Sequence, residues 1–255
     1  MLKVGIFGAT GRVGRLLIEE ILNRSHFTLS SVYVRNELQY SLPSSTMVTQ
    51  DFQVFLQSSD VIIDFSSPEA TKALLEVAIH FPTPLVIGTT GLDDDTHHLL
   101  EEASHTSPIL YATNMSRGIA VLNKIVSLVS SALKESDIEI CEIHHRYKKD
   151  APSGTALTLA QTCANARGLK LSDVRVSGRN GNIGERGKSE IGVMSLRGGD
   201  VCGRHSVGFY LDGEYLELTH NATSRLTFVK GALDMASWIV RQKSGLYSIQ
   251  DALSL

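Results

Sequence analysis

The amino-terminal stretch limits what this chain can fold into more than any other. A short apolar run, Leu2 to Phe7, breaks into Gly8-Ala9-Thr10-Gly11-Arg12-Val13-Gly14, and from Arg15 to Asn23 the positions Leu16, Leu17, Glu20 and Ile21 recur at helical spacing. This is the strand, glycine turn and helix start of a dinucleotide-binding unit, with glycine where the backbone must turn tightly and approach a pyrophosphate. The spacing is G-x-x-G-x-x-G rather than G-x-G-x-x-G, and any tight strand-to-helix turn favours glycine. The flanking elements therefore carry the weight of the reading.

The alternation continues along the chain. Thr28 to Val34 reads as a second strand, followed by a Ser/Pro-rich loop near 41–45 and a short helix at Phe52 to Gln57. Val61-Ile62-Ile63-Asp64-Phe65 is a nearly continuous apolar run, as expected of a strand buried on both faces of a parallel sheet. Ser67-Pro68-Glu69 opens a helix running to about His80. Strand Leu85 to Ile87 meets Gly88-Thr89-Thr90-Gly91, helix Asp94 to Ser104 follows, and strand Ile109 to Tyr111 ends in Ala112-Thr113-Asn114-Met115. Strands alternating with helices predict an α/β fold, a Rossmann-type doubly wound parallel sheet that binds ligands at the carboxyl ends of its strands.

Near Ser116 the pattern changes. A long amphipathic helix, Ile119 to Leu133, leads to an apolar strand, Ile138 to Ile143; beyond a helix at Ala156 to Ala166, the region 172–225 loses helical periodicity. Glycines punctuate short alternating runs there, such as Ser206 to Leu211 and Glu214 to Asn221, which predict a mixed or antiparallel sheet in a second α+β domain. A final helix, Leu226 to Gln242, carries the single Trp238 and is expected to return to the first domain. The predicted domains are thus 1–115 with 226–255 for the dinucleotide, and 116–225 for substrate binding and oligomerisation.

The chemistry is concentrated between Glu142 and Ala156. Here His144, His145, Arg146, Lys148 and Lys149 stand beside Pro152-Ser153-Gly154-Thr155, a turn opening onto a helix. A run of cations is ordinarily a solvated loop, but this one is delivered by an apolar strand and followed at once by a capped helix. A helix start offers backbone N–H groups and a positive dipole end, so Ser153, Gly154 and Thr155 are placed to cradle a carboxylate or phosphate. The substrate is expected to be anionic. Where the NAD fingerprint has an acidic residue after the second strand, the chain reads Val34-Arg35-Asn36-Glu37, and Arg35 suits a 2′-phosphate. NADPH is therefore expected, with NADH as the second cofactor since Glu37 can still reach a ribose.

Composition excludes other classes. A formal net charge of -3 argues against a nucleic-acid partner, whose footprint would be basic overall. No apolar run reaches the roughly 18 residues of a membrane span, and the chain enters a strand at once without a signal peptide, so a cytoplasmic location is expected. Cys141, Cys163 and Cys202 form no Cys-x-x-Cys pair and read as reduced thiols, and His80, His97, His98 and His105 lack partner ligands in spacing, so no metal site is expected.

Over essentially its whole length the chain resembles the dihydrodipicolinate reductase family. The resemblance lies in the glycine turn, Asp64-Phe65-Ser66-Ser67-Pro68-Glu69, Gly88-Thr89-Thr90-Gly91, the stretch Glu142 to Ala156, and Thr219-His220-Asn221-Ala222-Thr223-Ser224-Arg225. The long central motif is the most specific. The resemblance implies that His144 is the catalytic histidine, Lys148 the proton donor, and His145, Gly154 and Thr155 substrate contacts. It places the cofactor on Gly8, Ala9, Thr10, Gly11, Arg12 and Val13, on Gly88, Thr89 and Thr90, and on Ala112, Thr113, Asn114 and Met115. It implies reduction of a cyclic, unsaturated imine dicarboxylate, with hydride going from the nicotinamide to C4 and a proton completing the tautomerisation to tetrahydrodipicolinate. It further implies a homotetramer built through the second domain's sheet. Two positions depart from some members: Val34 replaces an acidic residue before Arg35, and Met115 replaces an aromatic.

Two rival readings stay open on the residues alone. Another two-domain dehydrogenase shares the Gly-Ala-Thr-Gly start, although Cys141 inside a strand and Cys163 inside a helix are badly placed for a nucleophile. A non-catalytic NADP-sensing protein would keep the glycine turn but has no use for the cluster at 144–149.

Overall fold

Val61–Asp64 is buried along its entire length, as a strand covered by helices on both sides must be. In the computed structural model, which describes residues 1–255, it lies at the centre of a seven-stranded parallel sheet. The elements are β1 (Leu2–Phe7), α1 (Arg12–Leu22), β2 (Phe27–Tyr33), β3 (Met47–Thr49), α2 (Phe52–Gln57), β4 (Val61–Asp64), α3 (Pro68–Ala78), β5 (Leu85–Ile87), α4 (Asp94–Ser104) and β6 (Pro108–Tyr111). Their order across the sheet is β3-β2-β1-β4-β5-β6, so the winding reverses between β1 and β4 and opens a crevice at their carboxyl ends. The doubly wound sheet expected from the sequence is present. β3 is an addition, three residues with largely exposed side chains that periodicity could not reveal.

Helix starts follow the local chemistry of their caps. Asp51, Ser67 and Asp93 each accept a hydrogen bond from a backbone N–H of the first turn of α2, α3 and α4, and Pro68 occupies the first turn of α3. Phe7, Phe55, Leu56, Ile62, Leu74, Leu75, Leu85 and Leu100 form one apolar cluster against one side of the sheet. Full burial of such side chains contributes roughly 1.5–3 kcal/mol each.

The chain divides into two compact units, Met1–Arg117 with Leu226–Leu255, and Gly118–Arg225. In the second unit, α5 (Arg117–Ala132) is followed by β7 (Asp137–His144), α6 (Gly154–Ala166), α7 (Leu171–Val174), β8 (Arg175–Val176), β9 (Ile191–Arg197), β10 (Gly203–Leu211) and β11 (Glu214–Ala222). The sheet runs β11-β10-β7-β9-β8 and is mixed: β7 lies parallel to β9 and antiparallel to β10. Ala156, Leu159, Ala160 and Cys163 of α6 share a core with Ile138, Ile140, Val193, Val207 and Phe209 of the strands. The expectation that 172–225 lacks helix fails only at its start, where α7 makes a single turn. The glycine-rich loop between β8 and β9 is pinned through Arg179 and Arg186, both paired with Glu139.

The last elements return to the first unit. α8 (Leu226–Ile239) ends earlier than the expected Gln242, because Arg241 and Gln242 donate to Trp238 and Ile239 carbonyls in a closing turn. Gly231 lets α8 approach the carbonyl of Met115, where a Cβ would collide. β12 (Gly245–Tyr247) joins the sheet beside β6, and α9 (Ile249–Leu253) closes the chain with a Ser248 capping box. Trp238 packs edge-on against Tyr247, with ring centroids 5.3 Å apart. No helix is long and apolar enough to cross a membrane.

Candidate active site

Two groups of residues stand out, one in each unit. In the first, a cleft of about 530 Å³ lies at the switch point and is lined by Gly8, Ala9, Thr10, Gly11, Arg35 and Ser66, among others. Gly8 turns the chain with φ +88, and a Cβ there would collide with the Phe65 carbonyl; one on Gly14 would collide with Gly8. Gly11 donates its N–H to the Gly8 carbonyl at 3.0 Å and serves as N-cap of α1 without any side-chain cap. The first turn of α1 carries no acidic residue either, unlike α3 and α4. Its N–H groups and dipole end are thus left to an anion, and these residues fit a dinucleotide pyrophosphate. Arg12 and Val13 are the first residues of that helix.

The floor of the cleft is braced by Asp64, which is fully buried. Its carboxylate accepts hydrogen bonds from the Ser66 N–H at 2.8 Å and the Thr71 hydroxyl at 2.5 Å. Burial pushes its pKa up, opposed by these bonds. Ser66 N–H also reaches the Thr89 hydroxyl at 3.0 Å, tying the end of β4 to the end of β5. Tyr40 from the β2–β3 loop donates to the Ala9 carbonyl at 3.0 Å, with the Arg15 guanidinium 5.2 Å from its ring centre.

Gly88, Thr89 and Thr90 follow β5, and Ala112 to Met115 follow β6. They share the carboxyl-end edge of the sheet but do not line the cleft. Gly88 lies against the Phe65 ring, and Asn114 accepts a hydrogen bond from the Ser116 N–H. Met115 is 1% exposed, with its carbonyl against Gly231 of α8.

The second group gathers at the end of β7. Glu142 is completely buried yet charged, because its two oxygens take four hydrogen bonds. Oε1 accepts from the Ser153 N–H at 3.1 Å and from Arg197 Nη2 at 2.9 Å; Oε2 accepts from Arg197 Nη1 at 2.9 Å and pairs with His144 Nδ1 at 2.5 Å. Burial alone would raise its pKa, but the bonds from His144 and Arg197 win and bring it down to about 2. Strand register explains the meeting: Glu142 lies opposite His205 on β10 and Ser195 on β9, and His144 opposite Arg197.

His205 is 3% exposed, stacks edge-on against His144 at 5.1 Å, and bonds through Nε2 to the Ser153 hydroxyl at 3.0 Å. Burial, then the nearby His144, lowers its pKa to about 3, so this imidazole is neutral at physiological pH. Lys148 is held bidentately by Asp150 at 2.8 and 2.9 Å, with its side chain 20% exposed. His145 lies 6.3 Å from the Tyr147 ring.

The role expected of Ser153 is corrected. Its N–H goes to Glu142, and its hydroxyl caps Ala156 N–H and meets His205. Ser153 is therefore committed inside the protein, whereas Gly154 has open space where a side chain would stand and Thr155 is buried. Burial raises the thiols of Cys141 and of Cys163, the latter to about 11, which makes poor nucleophiles of both.

Residues 2–115 match the family model "Dihydrodipicolinate reductase, N-terminus", and residues 118–253 match "Dihydrodipicolinate reductase, C-terminus". The chain belongs to the dihydrodipicolinate reductase family. A relative from Helicobacter hepaticus named 4-hydroxy-tetrahydrodipicolinate reductase is 84% identical over 100% of both chains, and one of that name from Wolinella succinogenes is 60% identical, also over 100% of both. Dipicolinate-bound dihydrodipicolinate reductase from Paenisporosarcina sp. TG-14 shares the fold, with a TM-score of 0.76, 23% identity and coverage of 97% of each chain.

Sequence reasoning missed Glu142, Arg197 and His205 as members of this cluster. A signal existed in two of them. Side chains alternate faces along a strand, so Glu142 falls on the face of Ile138 and Ile140, and His205 on that of Val207 and Phe209. Ionisable groups in core positions need partners.

Proposed function

We propose that this protein reduces 4-hydroxy-tetrahydrodipicolinate, by way of its dehydrated imine, to tetrahydrodipicolinate, with NADPH preferred over NADH. The end-to-end match to enzymes of that name carries the reaction. Bound nicotinamide supplies the hydride. The cleft at Gly8 to Gly11, with Arg12 and Val13 at the α1 start, holds the pyrophosphate, and Arg35 meets the 2′-phosphate. Gly88 to Thr90 and Ala112 to Met115 complete the cofactor contacts along the sheet edge.

His144 and Lys148 supply and steady the proton that completes the reduction, and His145, Gly154 and Thr155 hold the substrate's carboxylates, with Ser153 fixing the frame around them. The pairing of Lys148 with Asp150 keeps the ammonium in place until an anionic substrate competes for it. The protein acts in lysine and diaminopimelate biosynthesis, in the cytoplasm, as a homotetramer. Support for assembly comes from β11, a nine-residue edge strand exposing Tyr215 and Leu216; a monomer in sedimentation equilibrium would remove that part of the reading.

The test is oxidation of reduced nicotinamide by purified protein with freshly generated substrate, using NADPH and NADH in parallel. Turnover with a higher kcat/KM for NADPH is expected, and Arg35→Ala should cut that preference about tenfold or more by removing the phosphate's cation. His144→Ala and Lys148→Ala should each lower kcat by about 10²-fold or more. Absence of turnover from protein that binds NADPH would overturn the reading in favour of a dinucleotide-binding regulator.

A further inference from the structure

The cluster at the end of β7 contains a carboxylate that the proposed reaction does not use directly. Glu142 has no exposed surface, so it cannot touch substrate, yet it remains charged among His144, Arg197 and the Ser153 N–H. We propose that Glu142 is the positioning residue of His144: its Oε2 holds Nδ1–H, which fixes the ring and its tautomer and leaves Nε2 as the nitrogen that exchanges the reaction's proton.

Three observations support this. His144 Nδ1 lies 2.5 Å from Glu142 Oε2, and an ionised carboxylate can only accept there, so the proton of that bond belongs to the imidazole. Nε2 makes no hydrogen bond within the protein, and Gly203 leaves it uncovered; a Cβ on residue 203 would stand 3.0 Å from it. Finally, the carboxylate cannot swing away. Arg197 grips both its oxygens and also donates to the Asp150 carbonyl at 2.6 Å, while the Ser153 N–H fastens Oε1 to the start of α6. One buried anion thereby sets the orientation of the ring, of the Lys148–Asp150 turn and of the helix start together.

The surroundings agree. Around the imidazole stand Arg197 on β9, His205 on β10 with His220 beyond it on β11, and Lys148 with Asp150 on the following turn. None of these bonds a ring nitrogen of His144, whose Nδ1 is held by Glu142. A carboxylate behind a histidine that selects its tautomer and supports its charged form is a known physical device for proton transfer.

The inference rests on the proposed function for its kinetic arm but not for its spectroscopic one. Long-range ¹⁵N–¹H correlation spectra of histidine-labelled protein, with His144 assigned by loss of its signals in His144→Asn, should show the neutral ring as the Nδ1–H tautomer. An Nε2–H tautomer in the unaltered protein would overturn the proposal whatever the enzyme does. Glu142→Gln keeps the size of the side chain and should swap the tautomer, because the amide donates where the carboxylate accepted. It should lower kcat about 10²-fold, with the KM for NADPH within about twofold. Glu142→Asp should restore the Nδ1–H tautomer and part of the lost rate. Glutamine with unchanged kcat, or aspartate no better than glutamine, would reduce Glu142 to a structural part.

Discussion

Gly8→Ala should severely weaken dinucleotide binding and destabilise the first unit by about 3 kcal/mol or more, one of the two largest single effects expected in this chain. Two costs combine. At φ +88 an L side chain stands in the left-handed region, which costs roughly 1–2 kcal/mol. The new Cβ would also overlap the Phe65 carbonyl and stand 2.7 Å from its carbon and 3.0 Å from Ser66 Cα, all backbone atoms at the end of β4. Either that strand end or the turn must move, and the turn carries the Gly11 N–H bond and the start of α1. Dinucleotide titration should show Kd raised at least about 10²-fold, an energy near 2.7 kcal/mol. Gly11→Ala makes the internal comparison. It has no positive φ, and its Cβ would lie 3.1 Å from the Gly8 carbonyl, so a shift of a few tenths of an ångström accommodates it. Equal losses in the two variants would count against the collision as the cause.

Arg197→Ala should be as damaging in the second unit. It strips buried Glu142 of the guanidinium that grips both its oxygens, and removing one partner from a buried pair costs about 3–5 kcal/mol, roughly 10 °C or more in Tm for a chain of this size. The pH dependence identifies the origin. The Glu142 pKa falls from 4.5 to about 2 in the folded protein, so it contributes stability that is present above about pH 4.5 and is lost as pH drops towards 2. That span corresponds to about 3 kcal/mol. Without Arg197 the carboxyl loses one of the groups that hold its pKa down, and protonation costs the variant less than it costs the unaltered protein. The stability gap between the two proteins, measured by urea unfolding, should therefore be widest near neutrality and narrow below pH 4.5. A gap constant from pH 7 to pH 3 would mean that lost packing, not charge, is responsible.

What the chain disclosed on inspection follows from the range of the interactions concerned. The strands of the first unit announce themselves because burial on both faces demands uninterrupted apolar runs such as Val61 to Ile63, and Ser67-Pro68 marks a helix start by purely local bonding. β3 and β12 have three residues each and take their place from pairing with β2 and β6, so no window of sequence contains their cause. The candidate site divides the same way. His144, Lys148 and Gly154 lie within one continuous motif. Arg197 and His205 reach it because β9 and β10 flank β7, and the parallel pairing of β7 with β9 is a non-local choice. Ser153 illustrates the limit of local reasoning: the helix start was legible, but its N–H had already been taken by Glu142, eleven residues upstream.

The return of the chain to its first sheet has a consequence for biogenesis. β12 and α8 belong to the unit that β1 begins, while Gly118–Arg225 forms a contiguous compact unit between them. On the ribosome the second unit is therefore complete while the first still lacks the helix that covers part of its sheet and the strand that closes one edge. At about 5–20 residues per second, the nascent first unit waits on the order of ten seconds with that apolar face open, a period in which holding chaperones have something to bind. A ribosome-bound chain stalled after Arg225 has emerged should resist protease across 118–225 and be cut within 1–117; protection of both would show that the first sheet closes without its last strand.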